Sequence, residues 1–316
     1  MRPFWDESCI FLGSAVTWQF VAIRHAEGIK GYAGWSWLSF CLGLLTSSIV
    51  GCSSGCSHVG STKDTPPSSE SQLVDGGCAP SDKDPTSRYI TIDVHGKKRH
   101  FFLVPPIGSA KVVDLIIGFH GRGRSGEHVA AVWELGQNSL RPYVGIFPDG
   151  TRQPWFRSLV GWDTRSEASV DLQFYDALVD WAAAQYCIDR TRIHVLGHSW
   201  GGGMANLVAC ARKGLRSLVS VGGGGPTFPC QAPVAAMIVH GTSDQDEPIS
   251  TGQLNVTTWS FYNSCGNGQS PASVDGCVQF SDCLKDYPLL WCEHPGGHGW
   301  PDILRGGRLL NWLQRP

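Results

Sequence analysis

A chain of 316 residues with a net charge of −2 and 42% hydrophobic residues, 13 of its residues tryptophans, can bury a large core, as one large domain or two small ones. Charged residues make up only 16%, against roughly 25% in ordinary soluble domains, which suits an exported protein whose surface is rich in Gly, Ser, Thr and Pro. Nucleic acid is excluded as a partner, because phosphate binding needs clustered Lys and Arg; the one basic cluster, Lys97 to His100, reads as a solvated hairpin tip.

The first elements are an address and a tether. Gly34 to Val50 is uncharged and apolar or small throughout, preceded by Arg24 and Lys30. It is short for a membrane span and right for a signal-peptide core. The long stretch ahead of it reads as an extended n-region or a start placed too early. Ile49-Val50-Gly51-Cys52 closes the segment and resembles the lipobox of bacterial lipoproteins, in which the cysteine is lipidated and becomes the mature N-terminus. A plain signal peptide cut nearby and an uncleaved anchor are the alternatives. Residues 1–51 are thus a signal region, with a lipid anchor at Cys52 as the only expected link to a membrane. Residues 52–87 are a Ser/Gly/Pro-rich tether, with too few apolar groups to offset the entropy of ordering. Cys78 could staple the tether's end to the domain that follows, residues 88–316.

That domain alternates strands and helices. Tyr89–Val94 and His100–Val104 flank a polar turn as a hairpin. Val112–Phe119 and Tyr143–Pro148 are apolar runs suited to strands buried on both faces. Asp171–Tyr186 places Leu172, Tyr175, Leu178, Val179 and Ala182 on one helical face. Ile193–Gly197, Leu218–Val221, Ala235–His240 and Leu289–Cys292 are further strands. Gly202–Lys213 is a helix rich in small residues, and a last helix starts at Pro301. The order implies an α/β fold with a mostly parallel central sheet flanked by helices. The twelve cysteines include seven between Cys187 and Cys292, without zinc-ribbon spacing. They fit disulfides in an oxidising compartment, with at least one bridge inside Cys265–Cys292 bracing the approach to His298.

Gly197-His198-Ser199-Trp200-Gly201 matches G-x-S-x-G, a sharp strand-to-helix turn that presents a serine nucleophile. The amides at the start of the following helix favour negative charge. His120-Gly121-Arg122-Gly123 closes an upstream strand where a second oxyanion donor is needed. The backbone N–H groups of Arg122 and Trp200 are the candidates, and the Arg122 side chain is expected in solvent. Asp244 follows the Ala235–His240 strand, where sheet-based sites gather their acids; Asp246 and Glu247 are rivals. His298, between glycines and 99 residues past the serine, is the expected base, with His294 as competitor. Ser…Asp…His is the chain order of this arrangement on α/β sheets.

These segments together resemble a family. FHG at Phe119–Gly121, FPDG at Phe147–Gly150, GW at Gly161-Trp162 and YCID..RIHVLGHSWGGGMANLVAC at Tyr186–Cys210 are similar to the exported feruloyl and acetylxylan esterases and the polyhydroxybutyrate depolymerases. HGTSD...P at His240–Pro248, SC at Ser264-Cys265 and PGGHGWP at Pro295–Pro301 continue the likeness. The resemblance implies an α/β-hydrolase fold for residues 88–316. It implies catalysis by Ser199, Asp244 and His298, with no cofactor and no metal, on a plant cell-wall polysaccharide ester or a polyester. Trp200 departs from the asparagine or small residue that relatives carry there. With Trp300 it is a candidate for contacting substrate. A serine peptidase on the same fold and a non-catalytic binding module are the rival readings; the second would be expected to lack a triad member, and all three are in place.

Overall fold

The computed structural model describes residues 84–315 apart from 109–110, 134, 136–138, 156–158, 227 and 306. The signal segment, the lipobox at Cys52 and nearly all of the tether, Cys78 included, lie outside these residues.

Chain order runs β1 (Arg88–Val94), β2 (Lys97–Val104), β3 (Val113–Phe119), α1 (Gly126–Val132), β4 (Tyr143–Pro148), β5 (Thr151–Gln153) and β6 (Leu159–Gly161). It continues with α2 (Val170–Gln185), β7 (Ile188–His198), α3 (Trp200–Ala211), β8 (Leu215–Val221), β9 (Ala235–Gly241) and α4 (Ile249–Tyr262). β10 (Gln269–Pro271), β11 (Cys277–Phe280), β12 (Leu289–His294), a 3₁₀ turn at Asp302–Leu304 and α5 (Arg308–Leu313) complete it. Ten strands form one sheet in the order β1-β2-β4-β3-β7-β8-β9-β12-β11-β10. The six central strands, β4 to β12, are mutually parallel, and antiparallel pairs close both edges. The sheet is mostly parallel, as the order of elements implied, and has the α/β-hydrolase architecture that the family resemblance implied.

Alternation along the strands builds two cores. Leu115, Ile117 and Phe119 of β3 and Val144 and Ile146 of β4 face a core shared with α2, α3 and α4. Ile116, Tyr143 and Phe147 face the other side, against Val129 of α1 and Leu309, Leu310 and Leu313 of α5. Strands β3, β4 and β9 are therefore buried in every position and apolar in nearly all, Asp114 and His240 being the polar exceptions, as suits strands covered on both faces. Among the described residues no helix is long and apolar enough to cross a membrane.

The Lys97–His100 cluster is not the hairpin tip and is solvated only in part: Lys97, Lys98 and His100 are exposed, Arg99 is not. The turn is His95-Gly96, and the basic run opens β2. Arg99 alternates in phase with buried Phe101 and Leu103, is only 6% exposed, and meets the fully buried Asp171 at 2.7 Å. Pairing it costs less than stranding a charge in the core. Nor does a continuous helix start at Pro301: the 3₁₀ turn comes first, and Gly307, with φ of 83°, redirects the chain into α5.

Disulfides join Cys210 to Cys230, Cys265 to Cys283 and Cys277 to Cys292, and Cys187 is bonded as well. Two bridges therefore close within Cys265–Cys292. Cys277 and Cys292 are direct cross-strand partners on β11 and β12, so their bridge braces the strand that leads into the His298 loop.

Candidate active site

Ser199 occupies the turn between β7 and α3 with φ of 57° and ψ of −123°. A residue with a side chain adopts that region only at a cost of about 1–3 kcal/mol, and its surroundings must enforce it. Two close approaches do so here. A methyl group on Gly197 would strike the Gly201 carbonyl, and one on Gly201 would strike the Phe119 carbonyl. The flanking glycines thus let the strand, the turn and the helix share one small volume. Hydrogen bonds complete the turn: the Ser199 amide donates to Val221 O at 2.8 Å, and the Gly203 amide to Ser199 O at 3.0 Å.

Asp244 and His298 reach this serine from two further loops. His298 Nε2 lies 2.7 Å from Ser199 Oγ, and His298 Nδ1 lies 2.7 Å from Asp244 Oδ2. The Asp244 carboxyl is 1% exposed and the His298 ring 20%. Burial alone would push the Asp244 carboxyl up. The amides of Glu247 and Asp246, on its Oδ1 at 2.9 and 3.0 Å, and the His298 ring outweigh that and hold it below its ordinary value. An ionised carboxylate only accepts hydrogen bonds, so His298 carries its proton on Nδ1 and turns the Nε2 lone pair to the serine hydroxyl. The arrangement can take the serine proton and support the charge that results.

The rival residues stand elsewhere. Asp246 and Glu247 contribute backbone amides to Asp244, while His294 ends β12 and is half-buried. His240, fully buried, donates from Nε2 to Glu247 O at 2.9 Å and sits 3.5 Å from Asp244. Among the described residues no group of three or more His, Cys, Asp or Glu could hold a metal ion.

Gly121 and Arg122 follow β3 beside the serine: a Cβ added at Gly121 would come within 3.3 Å of the Ser199 Cβ and 3.2 Å of the His198 ring. The buried His120 ring accepts the Gly150 amide on Nε2 at 2.9 Å. Its proton is thereby placed on Nδ1, which donates to Gly121 O at 2.7 Å. The Arg124 amide reaches the same carbonyl at 3.2 Å, and the Gly123 amide donates to Val160 O at 2.8 Å. In a trans peptide the C=O and the following N–H point opposite ways. Holding the Gly121 carbonyl to one side therefore turns the Arg122 amide to the other. The Arg122 side chain is exposed. Trp200 opens α3 with its amide in the first turn and lays its half-buried ring over Gly161, where a Cβ would collide with it. Trp300 stacks on Trp133, their ring centroids 4.6 Å apart.

Two histidines were not singled out by the sequence reading, His120 and His198. Both lie inside quoted motifs, beside the glycine and the serine that drew attention. A histidine at the variable position of G-x-S-x-G was the available signal.

No family profile matches the chain. Among curated proteins it is 29% identical over 243 residues to feruloyl esterase C of Emericella nidulans, covering 70% of this chain and 82% of that one. To feruloyl esterase D of Neurospora crassa it is 26% identical over 240 residues, covering 70% and 81%. The chain is a carboxylic ester hydrolase, related to the feruloyl esterases. In fold this esterase is similar to an acetyl xylan esterase from Aspergillus awamori, with a TM-score of 0.55 at 12% identity, over 72% of this chain and 98% of that one.

Proposed function

We propose that the esterase works by two-step acyl transfer through Ser199, His298 and Asp244. His298 Nε2 removes the hydroxyl proton as Ser199 Oγ attacks the ester carbonyl, and the amides of Arg122 and Trp200 stabilise the oxyanion. His298 then protonates the departing alcohol. Water, activated by the same ring, cleaves the acyl-enzyme and frees the acid. Asp244 keeps the ring oriented and supports its charged form. The observation that carries this reading is the unbroken path from Asp244 through both nitrogens of His298 to a serine in a strained turn, each contact 2.7 Å. Ser199→Ala should leave the fold intact and lower kcat on the order of 10⁴–10⁶-fold. Activity within about tenfold of wild type would place the nucleophile elsewhere.

The substrate class follows from the relatives' names. We infer an ester of the feruloyl or acetylxylan kind on plant cell-wall polysaccharide, with short polyesters as the second possibility. The test is a panel of methyl ferulate, acetylated xylan and short polyhydroxybutyrate oligomers, ranked by kcat/KM; a preference for the polyester would reverse the order. Disulfides and the apolar segment before Cys52 support export, with lipidation at Cys52 holding the enzyme to the cell envelope. Cys52→Ala should then abolish lipid labelling and release a fully active enzyme. A wild-type protein that carries no lipid refutes the anchor.

A further inference from the structure

His198 immediately precedes the nucleophile, yet its side chain does not serve the turn it belongs to. Its Nε2 lies 2.5 Å from the backbone carbonyl of His298, 100 residues away. A carbonyl only accepts, so Nε2 must be the donor and carry the ring proton. The other edge of the ring, at Nδ1, rests against Gly121, where an added Cβ would come within 3.2 Å. One imidazole therefore touches the oxyanion loop and the base loop while its own backbone runs into Ser199. Its ring is 5.0 Å from the His298 ring. Burial pulls its pKa down to about 4, so the ring stays neutral and keeps a single, directed proton.

The loop it reaches needs such a tie. Residues 295–299 read Pro-Gly-Gly-His-Gly, a composition with high conformational entropy to restrain. The amides of Thr242 and Ser243 hold the loop's entry, through His294 O and Gly296 O. Beyond Gly296, the His298 carbonyl is taken by His198, and Trp300 anchors the exit on Trp133.

Building on the triad assigned above, we propose that His198 is a positioning residue. It staples the His298 backbone to the nucleophile turn and so sets the distance between His298 Nε2 and Ser199 Oγ. A side chain without a donor leaves the base loop free to drift, and a misplacement of about 1 Å costs up to roughly 100-fold in rate.

The test compares His198→Phe, which keeps a ring and loses the donor, with His198→Gln, whose amide nitrogen can take the Nε2 position. With a soluble ester, His198→Phe should lower kcat on the order of 10–100-fold with KM changed less than about threefold, and His198→Gln should recover most of the loss. Wild-type kcat in His198→Phe, or equal losses in both variants, overturns the proposal. The wild-type protein supplies a test that needs no substitution. Nitrogen-15 shifts of the His198 ring must report the Nε2–H tautomer, and an Nδ1–H tautomer refutes the staple. Ser199→Ala and His298→Ala run alongside. If those remain active the triad itself is misassigned; if they are dead while His198→Phe is unaffected, only the staple fails.

Discussion

His120 offers a way to separate the chemistry of the oxyanion loop from its stability, because its two nitrogens do different jobs. Nε2 accepts the Gly150 amide, and Nδ1 donates to Gly121 O and so orients the peptide that carries the Arg122 amide. His120→Gln can place an oxygen near the Nε2 position but no donor at Nδ1; His120→Asn can place a donor at Nδ1 but no acceptor for Gly150. A buried carbonyl that loses its partner costs about 1–3 kcal/mol. The Arg124 amide still reaches Gly121 O at 3.2 Å, so the peptide is loosened and not freed. A weakening of about 1.4–2.7 kcal/mol corresponds to roughly 10–100-fold. That stays below the roughly 10²–10³-fold ceiling for losing one oxyanion donor outright. His120→Gln should therefore lower kcat about 10–100-fold with KM little changed, while His120→Asn stays within about fivefold. Stability should move the other way: His120→Asn leaves the Gly150 amide unpaired and should lose about 1–3 kcal/mol in urea titrations. Kinetics on a short-chain nitrophenyl ester together with those titrations decide the matter. The reasoning is refuted if kcat follows stability across the two variants, or if His120→Asn is the slower enzyme.

Asp244→Asn should lower kcat on the order of 10⁴-fold by favouring the wrong imidazole tautomer. Asp246→Asn should leave it near wild type, since only the backbone of residue 246 touches Asp244; the reverse ranking in steady-state kinetics would move the acid. Asp114 is fully buried at the start of β3, and His194, Arg192 and Arg141 overcome the upward push of burial to hold it at about 2, against an ordinary 3.8. A depressed carboxyl stabilises the fold above its unfolded pKa and loses that contribution as pH falls through the folded value. The shift is worth about 2–3 kcal/mol. Asp114→Asn should thus destabilise the enzyme at pH 7, and the gap from wild type should narrow on acidification; a gap that does not change with pH refutes this. The Cys277–Cys292 bridge closes a loop with a sequence separation of 15, worth about 3 kcal/mol. Replacing both cysteines by serine should lower the melting temperature, and an unchanged melting curve would show that β12 needs no brace.

The three residues proposed as the triad drew notice in the sequence because each obeys a local rule. Ser199 follows β7 directly, Asp244 and His298 lie in the loops just beyond β9 and β12, and the serine and histidine are framed by glycines, so a one-dimensional reading suffices. Arg99 was legible too. It shares the alternation of Phe101 and Leu103, so period two puts it inside, and four basic letters in a row hid that phase. Its partner Asp171 lies 72 residues away at the start of α2, a distance no local pattern spans. Helix α4 escaped for another reason. Its buried positions are Gly252, Asn255 and Trp259, spaced for a helix but with only one apolar residue among them, because Asn255 holds the Gly223 carbonyl in the core. Strands β10 and β11 are short, largely exposed edge pieces whose order comes from pairing onto β12 and from disulfides. The same division runs through the site. The atoms proposed to react are marked by residue type beside a strand end. How far apart they stand is set by contacts such as His198 to His298 and Gly150 to His120, separated by 100 and 30 residues. In this esterase the distances that make a triad depend on residues whose letters, read singly, look like filler between glycines.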